Sequence, residues 1–213
     1  MASYLDGSFN KLFNKAIHCD DCFLKKLAIQ SKGNIPQPRW IGPLYKKTMP
    51  RILVMLLNPG SGKGYKKYQE TGTVPLNDPL NDYKEGNKSL EEYFYFQRKD
   101  MEEWGHGKFV RFYEKWLGLN FNKVAFANIA WCATENNNYP NKMLNNCYQK
   151  FTNRLIQLLK PTTIVLSGVT TWGYEKILRS ADDDIRVIKM WHYANRKSEN
   201  ENKNHIIKVK QIL

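Results

Sequence analysis

Three continuous apolar runs set the strongest limit on what this chain can fold into. Arg51-Ile52-Leu53-Val54-Met55-Leu56-Leu57 ends at Asn58-Pro59-Gly60. Lys123-Val124-Ala125-Phe126-Ala127-Asn128 and Thr162-Thr163-Ile164-Val165-Leu166-Ser167-Gly168 repeat the pattern. A strand with one wet face alternates apolar and polar residues, whereas a strand apolar throughout is covered on both faces, as in a parallel sheet. Arg186-Val187-Ile188-Lys189-Met190-Trp191 is a weaker fourth run. Helical patterns lie between the runs. Lys108 to Leu117 places Phe109, Phe112, Tyr113 and Trp116 on one face. Asn145 to Leu159 does the same with Phe151, Leu155, Leu158 and Leu159, and stops before Pro161. Thr171 to Leu178 is a shorter candidate. Phe9 to Leu27, with Leu12, Phe13, Ala16, Ile17 and Leu24, suits one short helix or two. Strands alternating with helices predict an α/β fold, a three-layer αβα sandwich around a central, mainly parallel four-stranded sheet.

A chain of 213 residues is long enough to bury a real core, and residues 1–213 read as a single domain. Residues 31–50, with Gly33, Pro36, Pro38, Gly42, Pro43 and Pro50, are loop-like. Residues 61–107 are polar, aromatic and poorly periodic. They predict a long loop or lid insertion with one helix near Leu90 to Glu103. No apolar run approaches the roughly 18 residues of a membrane helix, so no membrane partner is expected. The opening MASYLDGSFNKLFNK lacks an apolar signal core. Four Cys are too few for a disulfide scaffold of this size. A cytoplasmic location is therefore expected, where such cysteines serve as metal ligands, redox groups or core residues. The 33 Lys and Arg against 20 Asp and Glu leave a formal charge of +13, which suggests a polyanionic partner, nucleic acid first and an anionic membrane surface second. A Lys- and Asn-rich proteome produces the same arithmetic without any such partner.

In parallel α/β sheets, ligands bind beyond the carboxyl ends of the strands. Those positions here hold Asn58-Pro59-Gly60, Asn128, Gly168 and His192. Two amides and a histidine make a candidate active site, but their spacing alone names no reaction.

At these residues the chain resembles the uracil-DNA glycosylase superfamily, most closely its iron–sulfur (family 4-like) branch, over nearly its whole length. Four features carry the resemblance: Cys19-Asp20-Asp21-Cys22-Phe23-Leu24, Leu57-Asn58-Pro59-Gly60, Ala127-Asn128-Ile129-Ala130-Trp131-Cys132, and Trp191-His192-Tyr193-Ala194. After the third, Cys147 lies in a helix leading to the run Leu158 to Gly168, similar to the family's Pro-strand-Leu-Gly stretch. The resemblance implies a uracil-DNA glycosylase-like fold. It also implies a monofunctional DNA glycosylase that flips a pyrimidine, uracil first, out of single- or double-stranded DNA and hydrolyses its N-glycosidic bond. The product is an abasic site. No lysine nucleophile is identifiable, so no lyase step is expected. The protein would act as a monomer, associated with the nucleoid if prokaryotic, in repair or in defence against foreign DNA.

The resemblance also distributes roles. Asn58 would orient the attacking water through its carbonyl oxygen. The iron–sulfur branch usually has Ala here and an acid one residue earlier, where this chain has Leu57, so the chain looks like a hybrid with the mismatch-specific type. As a plain turn residue before Pro59, Asn58 has a second reading. His192 would donate to O2 of the departing base, a hydrogen bond that strengthens as charge develops. Asn128 would read the Watson–Crick edge, and either pyrimidine pattern is open to an amide that can face both ways. Leu57 and Gly60 would line the base pocket, with glycine leaving the C5 side open. Tyr65, Tyr68 or Leu76 occupies the place of the stacking aromatic, or the tyrosines lie on the surface of the loop. Lys63, Lys66 and Lys67 after the Asn58 motif, and Arg196 and Lys197 after His192, would meet phosphates.

The four cysteines, Cys19, Cys22, Cys132 and Cys147, fall where the family binds a 4Fe-4S cluster. Zn²⁺ takes the same ligand set, and free buried thiols are the third possibility. Two other functions compete with uracil excision. One is removal of C5-modified or bulky pyrimidines of the kind found in phage genomes. The other is a catalytically inactive nucleic-acid binding module.

Overall fold

The structure is a computed structural model that describes residues 4–27, 35–59, 77–134 and 138–213. The expected α/β class is present as a four-stranded parallel sheet flanked by helices, consistent with a three-layer αβα arrangement. The strands are β1 (Ile52–Leu56), β2 (Val124–Asn128), β3 (Thr163–Ser167) and β4 (Arg186–Met190), in the order β2-β1-β3-β4. β1 pairs with β3 from Ile52 opposite Thr163, and β3 with β4 from Thr163 opposite Arg186, both in parallel. β2 and β3 are buried along their whole length, which is why their sequences are uninterrupted apolar runs. β4 is an edge strand, and its exposed Arg186 and Lys189 account for the weaker run there. The other edge, β2, is covered. Ile41 bridges Ala125 in antiparallel sense, the Phe126 amide donates to the Trp40 carbonyl at 2.8 Å, and the Gly42 amide to Val124 at 2.9 Å. A Cβ at Gly42 would lie 2.4 Å from the Asn122 backbone, so only glycine permits this approach.

The chain divides into two compact units, each assembled from three separated stretches. One comprises Met1–Arg39, Asn58–Gln97 and Asn128–Leu158, and the other Trp40–Leu57, Arg98–Ala127 and Leu159–Leu213. In the first, helix α1 (Gly7–Ile17) is capped by Asp6, whose carboxylate accepts from the Ser8 amide at 2.9 Å. It buries Phe9, Leu12, Phe13, Ala16 and Ile17, the spacing of one helical face. Phe13 packs on Phe94 at 5.9 Å and on Trp131 at 5.5 Å, ring centre to ring centre. In the second unit, Phe109, Tyr113, Phe121 and Phe126 form an aromatic cluster with ring centres 4.8–5.9 Å apart.

Several elements differ from their sequence-predicted forms. Residues 61–76 lie outside the described residues, and the rest of the 61–107 region has the helix expected near Leu90 and one more before it. The two are α3 (Asn77–Lys84) and α4 (Leu90–Asp100). The first has no apolar period to mark it, and its Pro79 is tolerated in a helix's first turn, where backbone amides have no intrahelical partner. The second is opened by a Ser89–Glu92 capping box and stops at Asp100, before the positive-φ run Gly105, His106 and Gly107. The N-terminal pattern resolves into α1 and a single turn, α2 (Asp21–Leu24), on which Leu24 is 73% exposed rather than on the apolar face. The 145–159 pattern extends back to Asn141, with a π-helical stretch at Tyr148–Thr152 between Asn141–Cys147 and Asn153–Leu159. The 108–117 pattern is mostly π-helical, at Arg111–Trp116. The 171–178 pattern is 3-10 helical at Val169–Tyr174 and α-helical at Glu175–Ala181. No helix among the described residues is long and apolar enough to cross a membrane.

Candidate functional site

Asn128 is the last residue of β2, Asn58 follows β1 by two residues, and His192 follows β4 by two. Asn58, Asn128 and the four cysteines belong to the first unit, and Leu57, His192, Arg196 and Lys197 to the second. Gly60, Lys63, Tyr65, Lys66, Lys67, Tyr68 and Leu76 lie outside the described residues.

Asn128 is only 1% exposed, yet neither its Oδ1 nor its Nδ2 has a hydrogen-bond partner. Buried amides are normally paired, and an unpaired one costs roughly 1–3 kcal/mol. Its backbone is well held, since Thr152 Oγ1 donates to the Asn128 carbonyl at 2.7 Å and in turn accepts from Trp131 Nε1 at 2.9 Å. A well-held main chain thus carries an amide with no partner among the described residues.

Asn58 is half-buried and its Nδ2 donates to the Tyr139 hydroxyl at 2.8 Å. That hydroxyl also accepts from the Thr134 amide at 3.3 Å, and Thr134 Oγ1 donates to the Asn138 carbonyl at 2.7 Å. Tyr139 therefore ties Asn58 to the segment that follows β2. Sequence reasoning missed it because a tyrosine in a polar connection carries no signal of its own.

The four cysteines come together. Cys19, Cys22, Cys132 and Cys147 line one cavity of about 310 Å³, counting space open to solvent, with Trp131 and Phe151 among its walls. None forms a disulfide. Burial pushes the Cys22 thiol up, Cys132 well up, and Cys147 to about 12, and the neighbouring sulfurs add to each rise. A bound cation reverses this logic, because it favours the thiolates that neighbouring thiolates oppose. Two N–H groups already address the sulfurs: the Trp131 amide donates to Cys147 Sγ at 3.3 Å and Asn146 Nδ2 to Cys22 Sγ at 3.2 Å. Asn146 also donates to Asp21 Oδ2 at 3.1 Å, and that carboxylate is paired with Lys25 and Lys150, each at 2.8 Å. These hydrogen bonds to Asp21 hold its carboxyl below the usual carboxylate range. Among the described residues, no three His, Cys, Asp or Glu side chains are arranged about a single metal ion. Asn146 was legible only as the neighbour of Cys147.

In the second unit, the Ala194 amide donates to His192 Nδ1 at 3.2 Å. A backbone N–H can only donate, so Nδ1 is unprotonated and the neutral ring carries its proton on Nε2. Burial holds the imidazole pKa down at about 4, so the ring is neutral at pH 7. The His192 carbonyl accepts from the Asn195 amide at 3.0 Å and from Asn195 Nδ2 at 2.6 Å. Asn195 bonds Asn202 Oδ1 at 2.7 Å, and Asn202 Nδ2 reaches the Lys197 and Ser198 carbonyls at 3.1 and 3.0 Å. The loop is thereby fastened to the capped start of the Glu199–Lys210 helix. Gly168, at φ +111°, is a position where side chains are strained, and a Cβ there would meet His192 Cβ at 3.5 Å. Tyr193 packs on Phe109 at 5.1 Å and so anchors the loop in the aromatic core. Upstream, the Trp191 amide donates to His205 Nε2 at 3.1 Å and the two rings stack at 4.3 Å. Arg196 is exposed, and Lys197 is exposed but engaged, 3.3 Å from Glu201 and 5.7 Å over the Trp191 ring.

Neither protein-family models nor curated protein sequences yield a match to this chain.

Proposed function

We propose that this protein is a monofunctional DNA glycosylase that accepts a flipped pyrimidine, uracil first, and hydrolyses its N-glycosidic bond. The unpartnered amide of Asn128 carries this reading. A polar side chain with two unsatisfied atoms, buried at the carboxyl end of a parallel strand, suits a ligand that offers one donor and one acceptor side by side. The Watson–Crick edge of a pyrimidine offers that pair. Both atoms are covered as the chain stands, so entry of a base requires the covering side chains to part. His192 supports the same reading. A neutral imidazole with its proton on Nε2 donates to a developing oxyanion without first losing charge, and the donation strengthens as the base departs. Asn58 supplies a carbonyl for a water, with its amide nitrogen committed to Tyr139. An amide is too weak a base to deprotonate that water, which fits a reaction in which bond breaking runs ahead of attack.

Cys19, Cys22, Cys132 and Cys147 would hold a 4Fe-4S cluster, bridging α2, the segment after β2 and the helix at Asn141–Cys147. Four thiols lining one cavity supply the ligand set such a cluster needs, and Zn²⁺ would take the same four. When bound, it supplies covalent cross-links between these segments and takes no part in the hydrolysis. The exposed Arg196 and the overall charge of +13 support a polyanionic partner.

The test uses single- and double-stranded oligonucleotides bearing one uracil, treated with alkali to cut abasic sites. Strand cleavage that disappears in Asn58→Ala and His192→Ala is the expected result. No abasic sites on any substrate, with salt-sensitive binding retained, would overturn it in favour of a binding module. Iron content and absorbance of anaerobically purified protein test the cluster separately.

A further inference from the structure

We infer that the contact at Asn128 accepts pyrimidines of both Watson–Crick patterns, the 4-oxo pattern of uracil and the 4-amino pattern of cytosine. This rests on the glycosylase reading above and concerns its substrate class. The main chain at Asn128 is fixed by β2 and by Thr152, but no described residue fixes the amide, since neither Oδ1 nor Nδ2 has a partner among them. The two ends of a carboxamide are nearly the same size. A half-turn about the last side-chain bond therefore exchanges them without a steric penalty. In one orientation the amide accepts from uracil N3–H and donates to O4. In the other it donates to cytosine N3 and accepts from the 4-amino group.

Other asparagines of this chain show what a held amide looks like. Asn202, only 7% exposed, accepts at Oδ1 from Asn195 and donates through Nδ2 to two carbonyls, so turning it would break every bond. Asn58 is held through Nδ2 by Tyr139. A site that pins its amide faces donor against donor when the wrong base enters, and sites built to hydrogen-bond one pattern reject the other by roughly 10⁴–10⁵. Asn128 has no such means of refusal. Discrimination between uracil and cytosine then falls to the intrinsic leaving ability of the base and to how readily it leaves the stack, not to recognition of its edge.

Binding is the readout, because cytosine departs more slowly than uracil whatever the protein does. Two duplexes carry a single 2′-fluorinated deoxyuridine or deoxycytidine, whose glycosidic bonds resist cleavage. Each stands opposite an abasic analogue, so neither base has a pairing partner to give up. The full chain is titrated by fluorescence anisotropy at one salt concentration. The expected result is that the two Kd values agree within about fivefold and that Asn128→Leu weakens both by about tenfold or more. Asn128→Leu replaces an unpartnered buried amide with an apolar group of similar size, so it retains the fold, and thermal denaturation checks this. A wild-type preference for the uracil duplex of about 100-fold or more would overturn the inference, as would a loss confined to that duplex. Failure of the glycosylase reading looks different. Cleavable uracil DNA then yields no abasic sites, and wild type and Asn128→Leu bind both duplexes alike, which overturns the inference with it.

Discussion

Asn128 and His192 both lie at the carboxyl ends of parallel strands, and the protein treats them in opposite ways. His192 is half-buried, and its environment commits it. The Ala194 amide occupies Nδ1, two groups of Asn195 occupy its carbonyl, and only Nε2–H is left to act. Asn128 is wholly buried, its main chain is held, and its amide is committed to nothing. The difference follows from what each would do. A group that must donate at one moment of a reaction gains from a fixed proton. A group that matches a ligand's own pattern can leave its orientation to the ligand.

The largest expected effect falls on the committed side. His192→Ala should lower single-turnover excision roughly 100- to 1,000-fold, the cost of losing one donor to a developing oxyanion. If the loss is under tenfold, the fixed tautomer is structural. The same ring links folding to pH. Its native pKa is about 4 against an ordinary 6.5, so between those values the unfolded chain binds more protons than the native one. Stability from this group is present above about pH 6.5 and declines as pH falls toward 4, by at most about 3 kcal/mol. Denaturant titrations at stepped pH should show that slope, and His192→Gln should flatten it.

On the uncommitted side, Asn128→Leu should stabilise the fold by about 1–3 kcal/mol, because an unpaired buried amide is exchanged for an apolar group. Calorimetry should show Tm rising by about 2–4 °C per kcal/mol. A fall in Tm would mean that the amide is satisfied after all. The smallest effect separates Asn58 from both. Tyr139→Phe removes the acceptor of Asn58 Nδ2 and should cost about 1 kcal/mol, roughly fivefold in rate. Single-turnover excision checks this, and an unchanged rate would show that Tyr139 does not position Asn58.

Much of the framework was legible, for reasons particular residues make plain. The buried runs named all four strands because a strand covered on both faces is apolar except at its ends, and only Lys189 and Arg186 on the edge strand blurred the pattern. Helix α3 was missed because its polar sequence carries no apolar period, the signal by which a helix is read. Asn58, Asn128 and His192 stood out as polar residues at the ends of apolar runs. Tyr139, Asn146 and Asn195 did not, because their importance lies in which atom each one touches.

By itself, the sequence determined the strands, their parallel pairing as a class, and the four cysteines as a set, since periodicity and residue type are properties of the chain. Tertiary structure alone decided that the four thiols surround one cavity, that His192 carries its proton on Nε2, and that Asn128 has no partner. Each of these depends on atoms brought together from distant or differently oriented segments. A hydrogen bond over about 3 Å is made or missed by packing that no local pattern encodes.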